Sequence, residues 1–337
     1  MTTVAENPRP PHKRPKRGHW QLMAQVAFTA VVLAWLFQKT DWPHLLQRFE
    51  EMDPWWFAAA AASYAANISI SSGRWWIILR ALSRPAPIAW LWRLNWVGAY
   101  FNQVLPGSVS GDFLRAWYTR HQARGMPFAL AAVFSDRFIG MGALVGIALT
   151  AFLLGGRHVA LLPGMDKTMA VVVAGYVLIV ALILTPWLNF LNTHLGKVGN
   201  KLHDIRLGMA ALLRHPKALA ATIGLSLIVQ GFSILTFWSL AQALRVHLDP
   251  AAVWLVWPLV SLFLALPVSF AGWGLREGLV VLYLGALHIG HDAALALSLL
   301  TGATVLLTSL PGALLWFGIG HHRLSQHPAI EASENPR

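Results

Sequence analysis

The stretch LPGSVSGDFLR runs from Leu105 to Arg115, and LPVSFAGWGLR runs from Leu266 to Arg276. Aligned without a gap, they share L-P-x-S-x-x-G-x-x-L-R. The prolines, Pro106 and Pro267, are expected to end an incoming helix. The glycines, Gly111 and Gly272, permit tight turns and close approach by a ligand. The residues after each glycine read as a new helix start. How these two loops sit among the apolar runs decides the fold.

The chain is that of a membrane protein. Of its 337 residues 56% are hydrophobic and 12% charged, a balance suited to many apolar spans rather than to a soluble enzyme. The net charge of +12 sits in short loops and tails between those spans. Membrane orientation accounts for it better than a nucleic-acid partner, and none is expected. The absence of cysteine excludes disulfides, thiolate metal sites and Cys nucleophiles. Among the 17 tryptophans, Trp55, Trp56, Trp75, Trp76, Trp90, Trp92 and Trp96 lie near the ends of apolar runs and read as interfacial belts. The basic stretch Arg9 to Arg17 precedes the apolar run Trp20–Phe37. That run is long for a signal peptide and no clean cleavage site comes after it, so it reads as a retained first helix.

Six runs reach the ~20 residues a span requires: 20–37, 55–79, 128–154, 168–190, 218–243 and 293–320. Segments 88–125 and 251–290 each carry one copy of the repeated loop near the middle, and each reads either as a full span or as a hairpin. Charge separates these readings. With both as hairpins, the cytoplasmic side collects the N-terminal tail, Arg80, Arg84, Arg93, Arg115, Arg120, Arg124, the basic loop 191–217 and Arg323. The outer side keeps Lys39, Arg48, Arg157, Lys167 and Arg245, with the acidic cluster Asp41, Glu50, Glu51 and Asp53. A full span at 88–106 would place the basic loop outside, against the positive-inside bias.

The expected fold is therefore an all-α polytopic membrane protein of two inverted repeats, each with three spanning helices plus one re-entrant hairpin. A cytoplasmic basic tail (1–19) precedes the first repeat (20–154). An outer loop (155–167) leads to the second repeat (168–320) and a cytoplasmic tail (321–337). Three crossings per unit invert the second unit, a design used by transporters with a site near the midplane. The expected location is the bacterial plasma (inner) membrane with both termini cytoplasmic.

Irregular backbone at membrane depth must line protein or a watery cavity. The new helix starts offer free N–H groups and partial positive charge to an anion such as phosphate. Arg115 and Arg276 add full charges with bidentate geometry, and Ser108 and Ser269 add hydrogen-bond donors. The same parts would also make a structural helix cap. Asn67, Ser71 and Arg74 fall on one helix face, and Ser226, Gln230 and Ser233 repeat that spacing. Such stripes face a cavity or hydrogen-bond between helices. Asp136 and Arg137 lie within a span and, as neighbours on a helix, point apart; Arg137 is expected to pair with Asp112 or to bind a headgroup. Gly142 and Gly146 read as a close-packing G-x-x-x-G. Glu277 reads as a helix N-terminal charge or the counter-ion of Arg276 rather than a catalytic acid. His288 and His291 lack an obvious third metal ligand, and no nucleotide-binding or zinc-protease motif is present. The loop 191–217, with Leu195, Val198, Leu202, Ile205 and Leu212 among its basic residues, suits either an amphipathic surface helix or a linker.

NQVLPGSVSGDFLRAW (Asn102–Trp117), SDRFIGM (Ser135–Met141), LPVSFAGWGLREG (Leu266–Gly278) and LPGALLW near Leu310 together resemble the lysylphosphatidylglycerol synthase transmembrane family, over about 20–320. The resemblance implies a flippase-like membrane domain, here without the soluble aminoacyl-transfer domain. It carries Asn102, Pro106, Gly111, Asp112, Arg115, Asp136, Arg137, Gly272, Arg276, Glu277 and Gly278 as motif positions. One departure stands out, since members of that family often place an arginine in the last long helix, where this chain has Thr301 and Gly302.

The expected function is thus a flippase or scramblase for a phosphate-headgroup lipid, either an anionic or aminoacylated phospholipid or a polyprenyl-phosphate-linked lipid, with no enzymatic turnover and no cofactor. The expected substrate-binding residues are Arg74, Asn102, Ser108, Gly111, Asp112, Arg115, Arg137, Ser269, Gly272, Arg276 and Glu277. Expected partners are a membrane phospholipid or a polyprenyl-phosphate lipid, with a lipid synthase or a second copy as protein partner. The alternatives are a membrane-embedded transferase acting on a lipid-linked substrate, and an accessory subunit of a lipid or glycolipid synthase.

Overall fold

The computed structural model describes residues 17–82, 86–105, 110–155, 162, 164–185, 203, 205–266 and 268–324. Pro106, Ser108 and Pro267, and the residues of the basic loop before 203, lie outside them. The described residues form helices and turns only.

In chain order the helices are α1 (Arg17–Gln38), α2 (Trp42–Glu50), α3 (Pro54–Leu82), α4 (Ile88–Val104), α5 (Ser110–Thr119), α6 (Met126–Leu154), α7 (Met165–Leu184), α8 (Pro216–Ala243), α9 (Pro250–Leu264), α10 (Leu275–Ala286), α11 (His291–Ser309) and α12 (Pro311–Leu324). Four stretches are long and apolar enough to cross a bilayer: Met126–Leu154, Met165–Ile183, Pro216–Ala243 and His291–Gly318. A fifth arises if α1 and α2, bent by 95° at their junction, count as one span. The chain is therefore a multi-pass membrane protein. The six expected runs and these stretches differ at α3, whose 29 residues reach about 43 Å at 1.5 Å each. Asn67, Arg74, Arg80 and its serines lower its hydropathy, and the charge at Arg74 is buried within the bundle.

The two expected breaks are present. α4 and α5 pack against each other, as do α9 and α10. α4 ends at Val104 before Pro106, and α5 restarts at Ser110. α9 ends at Leu264, and α10 restarts after Gly274 with its N-terminus capped by its own Glu277. Each arm, at 10–17 residues, is shorter than the ~20 residues that span a bilayer.

Packing is reciprocal between the two halves of the chain. α3 lies along α8; α4 packs on α12 and α11, and α9 packs on α6; α3 meets α11, and α8 meets α6. The apolar interior divides accordingly. One cluster runs through Trp75, Ile78, Leu91, Leu94, Val97 and Val133. Another runs through Phe237, Leu240, Val256, Val260, Leu284 and Leu295. The polar residues of interest lie where the halves meet.

Candidate functional site

A chain of charges crosses the interior. Arg74 of α3 donates from Nε to Asp136 Oδ1 at 2.6 Å and from Nη1 to Ser226 Oγ of α8 at 3.0 Å. Arg115 of α5 donates from Nη2 to the other oxygen of Asp136 at 3.1 Å and from Nη1 to Asp112 at 3.2 Å. Arg137 closes the chain by donating to the second oxygen of Asp112. Four of these charged residues are buried, Arg74, Asp112 and Arg115 at 6% exposure and Asp136 at 2%. Removing one partner of such a buried pair leaves an uncompensated charge, which is strongly destabilising. The guanidinium of Arg115 also lies over the ring of fully buried Trp75, 4.1 Å from its centroid, a cation–π contact. Three guanidinium groups thus share two carboxylates.

The position of Arg115 is set by local sequence. A Cβ on Gly111 would fall 2.0 Å from the Gly98 carbonyl oxygen, so only glycine lets α4 and α5 cross this closely. Gly98 in turn receives the Arg115 side chain, whose Cδ would lie 3.0 Å from a Cβ there. Asn102 of α4 accepts the Gly111 N–H at 2.8 Å, capping one free amide at the start of α5.

The second break is built differently. Arg276 donates from Nε and Nη2 to Glu277 Oε1 at 2.9 and 2.7 Å. Glu277, fully buried, accepts the Gly274 N–H at 2.6 Å and Ser298 Oγ–H at 3.2 Å. Arg276 lies over the Trp273 ring at 4.5 Å. Ala271, Gly272 and Gly274 all have positive φ, at 49°, 85° and 81°. The alanine is the strained member, because its Cβ crowds the backbone there. Thr29 of α1 holds this turn by donating to the Trp273 carbonyl and accepting the Phe270 N–H, both at 3.2 Å.

Between the breaks lies a cavity of ≈ 350 Å³. Arg74, Arg137 and Arg276 line it, joined by Asn102, Gln103, Gln230, Ser261, Gly272 and Thr301. Residues of both halves of the chain thus face one space. A smaller chamber of ≈ 160 Å³ borders Tyr64, Asn67, Ser71, Asn95, Asp112 and Arg115. Asn102 and Gln103 border both spaces.

The expected residues divide among these places. Arg74, Arg137, Asn102, Gly272 and Arg276 line the large cavity; Asp112 and Arg115 line the small one. Gly111 serves the helix crossing: the backbone that approaches it is that of Gly98. Ser269 is buried beside the turn, while Ala271 and Gly272 line the cavity. Glu277 is both the N-terminal charge of α10 and the counter-ion of Arg276. Arg137 pairs with Asp112, and Asp136 pairs with Arg74 and Arg115 rather than with its neighbour. The polar stripes take both expected roles: Asn67 donates to Val229 O at 2.7 Å and Gln230 to Gly140 O at 3.2 Å while both line the spaces.

Three readings change. Trp75 and Trp96 are buried rather than interfacial, at 0% and 7% exposure, whereas Trp55 is 83% exposed. Gly142 packs against the Tyr176 hydroxyl, but Gly146 faces open space, so only half of the G-x-x-x-G makes a close contact. Sequence reasoning also missed Gln103 and Ser261 as cavity residues. A lone neutral polar side chain on an apolar helix carries little signal.

The carboxylates Asp112, Asp136 and Glu277 each accept from arginine, and no group of three or more His, Asp or Glu that could hold a metal is present among the described residues. Comparison with curated proteins gives no match. A family model described as the lysylphosphatidylglycerol synthase TM region matches residues 22–312, and the chain belongs to that family.

Proposed function

We propose that the protein is a flippase or scramblase moving a phosphate-headgroup lipid between leaflets. The observation that carries this reading is the single cavity lined by Arg74, Arg137 and Arg276, drawn from both halves of the chain. Arginines held at membrane depth are costly and suit an anion, and a phosphate diester is an anion that the bilayer itself supplies. Reciprocal packing and two short-armed breaks support an inverted-repeat arrangement in which the breaks enter from opposite sides, as in transporters. The positive-inside distribution supports a bacterial plasma membrane location with both termini cytoplasmic.

The arginine-paired state of Asp112, Asp136 and Glu277 favours transport over a transferase reading, because a general base needs a carboxylate free to take a proton. The test is leaflet exchange in liposomes holding labelled anionic phospholipid or polyprenyl phosphate. Fast exchange is expected for the native protein. Arg137→Gln and Arg276→Gln together should slow it at least tenfold. Unchanged exchange in a folded double variant would remove the phosphate-binding role.

A further inference from the structure

We propose that the face of α6 turned from the arginine-lined cavity carries a second lipid site, which holds one ester-linked acyl chain of a resident phospholipid. This lipid is bound and not moved, so the site stands whether or not the protein transports.

α6 is a wall between two spaces. Arg137, Gly140, Met141 and Leu144 face the large cavity. Ser135, Phe138, Ile139, Gly142 and Gly146 line a separate cavity of ≈ 450 Å³ instead. Tyr176 and Val180 of α7 and Ile223 and Leu227 of α8 supply its other sides. Apart from Ser135 and Tyr176, the side chains that line it are apolar, and an apolar cavity of this kind does not hold water. α7 leans on α6, where the Tyr176 hydroxyl donates to Phe138 O at 3.3 Å, and few of its residues are buried.

Shape selects the occupant. Ser135 and Gly146 lie eleven residues apart on one helix, about 16 Å at 1.5 Å per residue. Spread over that length, ≈ 450 Å³ has a section about 6 Å across, too narrow for a partner's helix of about 10–12 Å diameter and suited to one unbranched chain. That length is also about half of the ~30 Å hydrocarbon core, the depth of one leaflet.

Ser135 supplies the polar argument. It is 3% exposed, and its Oγ has no hydrogen-bond partner among the described residues. A buried hydroxyl left unmet is costly, and the carbonyl of an acyl ester would accept from it. Ser135 stands one turn along α6 from Ala131, whose Cβ lies 2.5 Å from where a Cβ on Gly208 would fall. Residues 205–212 are helical and thus meet α6 beside Ser135, with Met209 and Leu212 lining the same cavity. Exposed Arg214 and Lys217 come directly after them, and basic residues at a membrane surface attract phosphate. Basic residues, buried hydroxyl and apolar lining therefore run in the order phosphate, ester, chain.

The test is photolabelling of the purified full chain in phosphatidylcholine nanodiscs, using phosphatidylglycerol with a diazirine midway along one acyl chain. Label is expected on peptides covering 142–146, 176–183 and 223–227. A Cβ on Gly146 would meet nothing within 4 Å, so Gly146→Leu fills the groove without a clash and should cut this labelling at least fivefold at unchanged thermal stability. Leu227→Trp, at an exposed lining position, is a second filling variant with the same expected result. Unlabelled diacyl lipid should compete at least threefold better than its dialkyl-ether analogue, and Ser135→Ala should abolish that difference. Arg214→Gln with Lys217→Gln should weaken labelling at least threefold. Leaflet exchange in Gly146→Leu should stay within twofold of native. Label spread evenly over the lipid-facing helices, labelling unmoved in both filling variants, equal competition by the ether lipid, or labelling indifferent to Arg214 and Lys217 overturns the proposal. Loss of exchange together with loss of label in a folded Gly146→Leu protein also overturns it, by making the groove part of the transport path. Exchange absent from the native protein, with the label where expected, supports the resident site and removes transport alone.

Discussion

Arg276 occupies the space that a side chain at position 302 would fill: a Cβ built on Gly302 falls 2.0 Å from Arg276 Nη2. The guanidinium needs that glycine to reach Glu277. Gly302→Val is therefore expected to push Arg276 aside and cut leaflet exchange at least tenfold, and Gly302→Ala to do so by a smaller factor because the arginine tip can shift. Exchange rates of the two variants, set beside their thermal unfolding, check this; native exchange in both would show the position to be indifferent.

Asp136 holds two arginines at once. Asp136→Asn would leave Arg74 and Arg115 short of a counter-charge in a buried setting, and a loss of about 3–5 kcal/mol is expected. Chemical or thermal unfolding in detergent measures it. A loss below about 1 kcal/mol, well under that range, would mean that water compensates both arginines.

Gly111→Ala should damage the first break without touching a charge. The added methyl would strike the Gly98 backbone rather than a flexible side chain, and overpacking of this kind costs about 1–3 kcal/mol. Phe113→Leu, on the exposed face of the same helix, serves as the control, and faster amide exchange over α4 and α5 in the glycine variant is the readout.

Thr29→Val removes the hydroxyl that bridges Trp273 O and the Phe270 N–H. Each lost bond is worth roughly 0.5–1.5 kcal/mol. Faster hydrogen exchange over 268–274, with α8 unchanged, is the expected signature. Unaltered exchange there would show that the strained turn at Ala271 is held by Trp273 and Arg276 alone.

Much of this arrangement was legible in the sequence because proline and glycine punctuate apolar runs unambiguously. The breaks after Val104 and Leu264 and the restarts at Ser110 and Leu275 follow from them. The Arg137–Asp112 pair was within reach because both residues belong to one short region. The partner of Asp136 was not: Arg74 sits on a separate helix whose polar stripe reads equally as packing or as cavity lining, and it does both. Trp75 misleads because a tryptophan near the end of an apolar run has the same one-dimensional signature whether it faces headgroups or lies beneath an arginine. Position 302 looks, in one dimension, like a missing arginine. In three dimensions its missing side chain is what admits Arg276.

The buried ion chain also constrains how the protein is made. Synthesis delivers Arg74 on α3 before Asp136 on α6 exists to meet it, and Ser226 on α8 comes later still. A lone charge at the centre of a bilayer helix costs roughly 2.5–3.5 kcal/mol on insertion scales. α3 is thus a poor membrane segment by itself and becomes a stable one only when later helices arrive. A nascent chain halted before Asp136 should leave α3 extractable from the bilayer, whereas one halted beyond α8 should hold it fast.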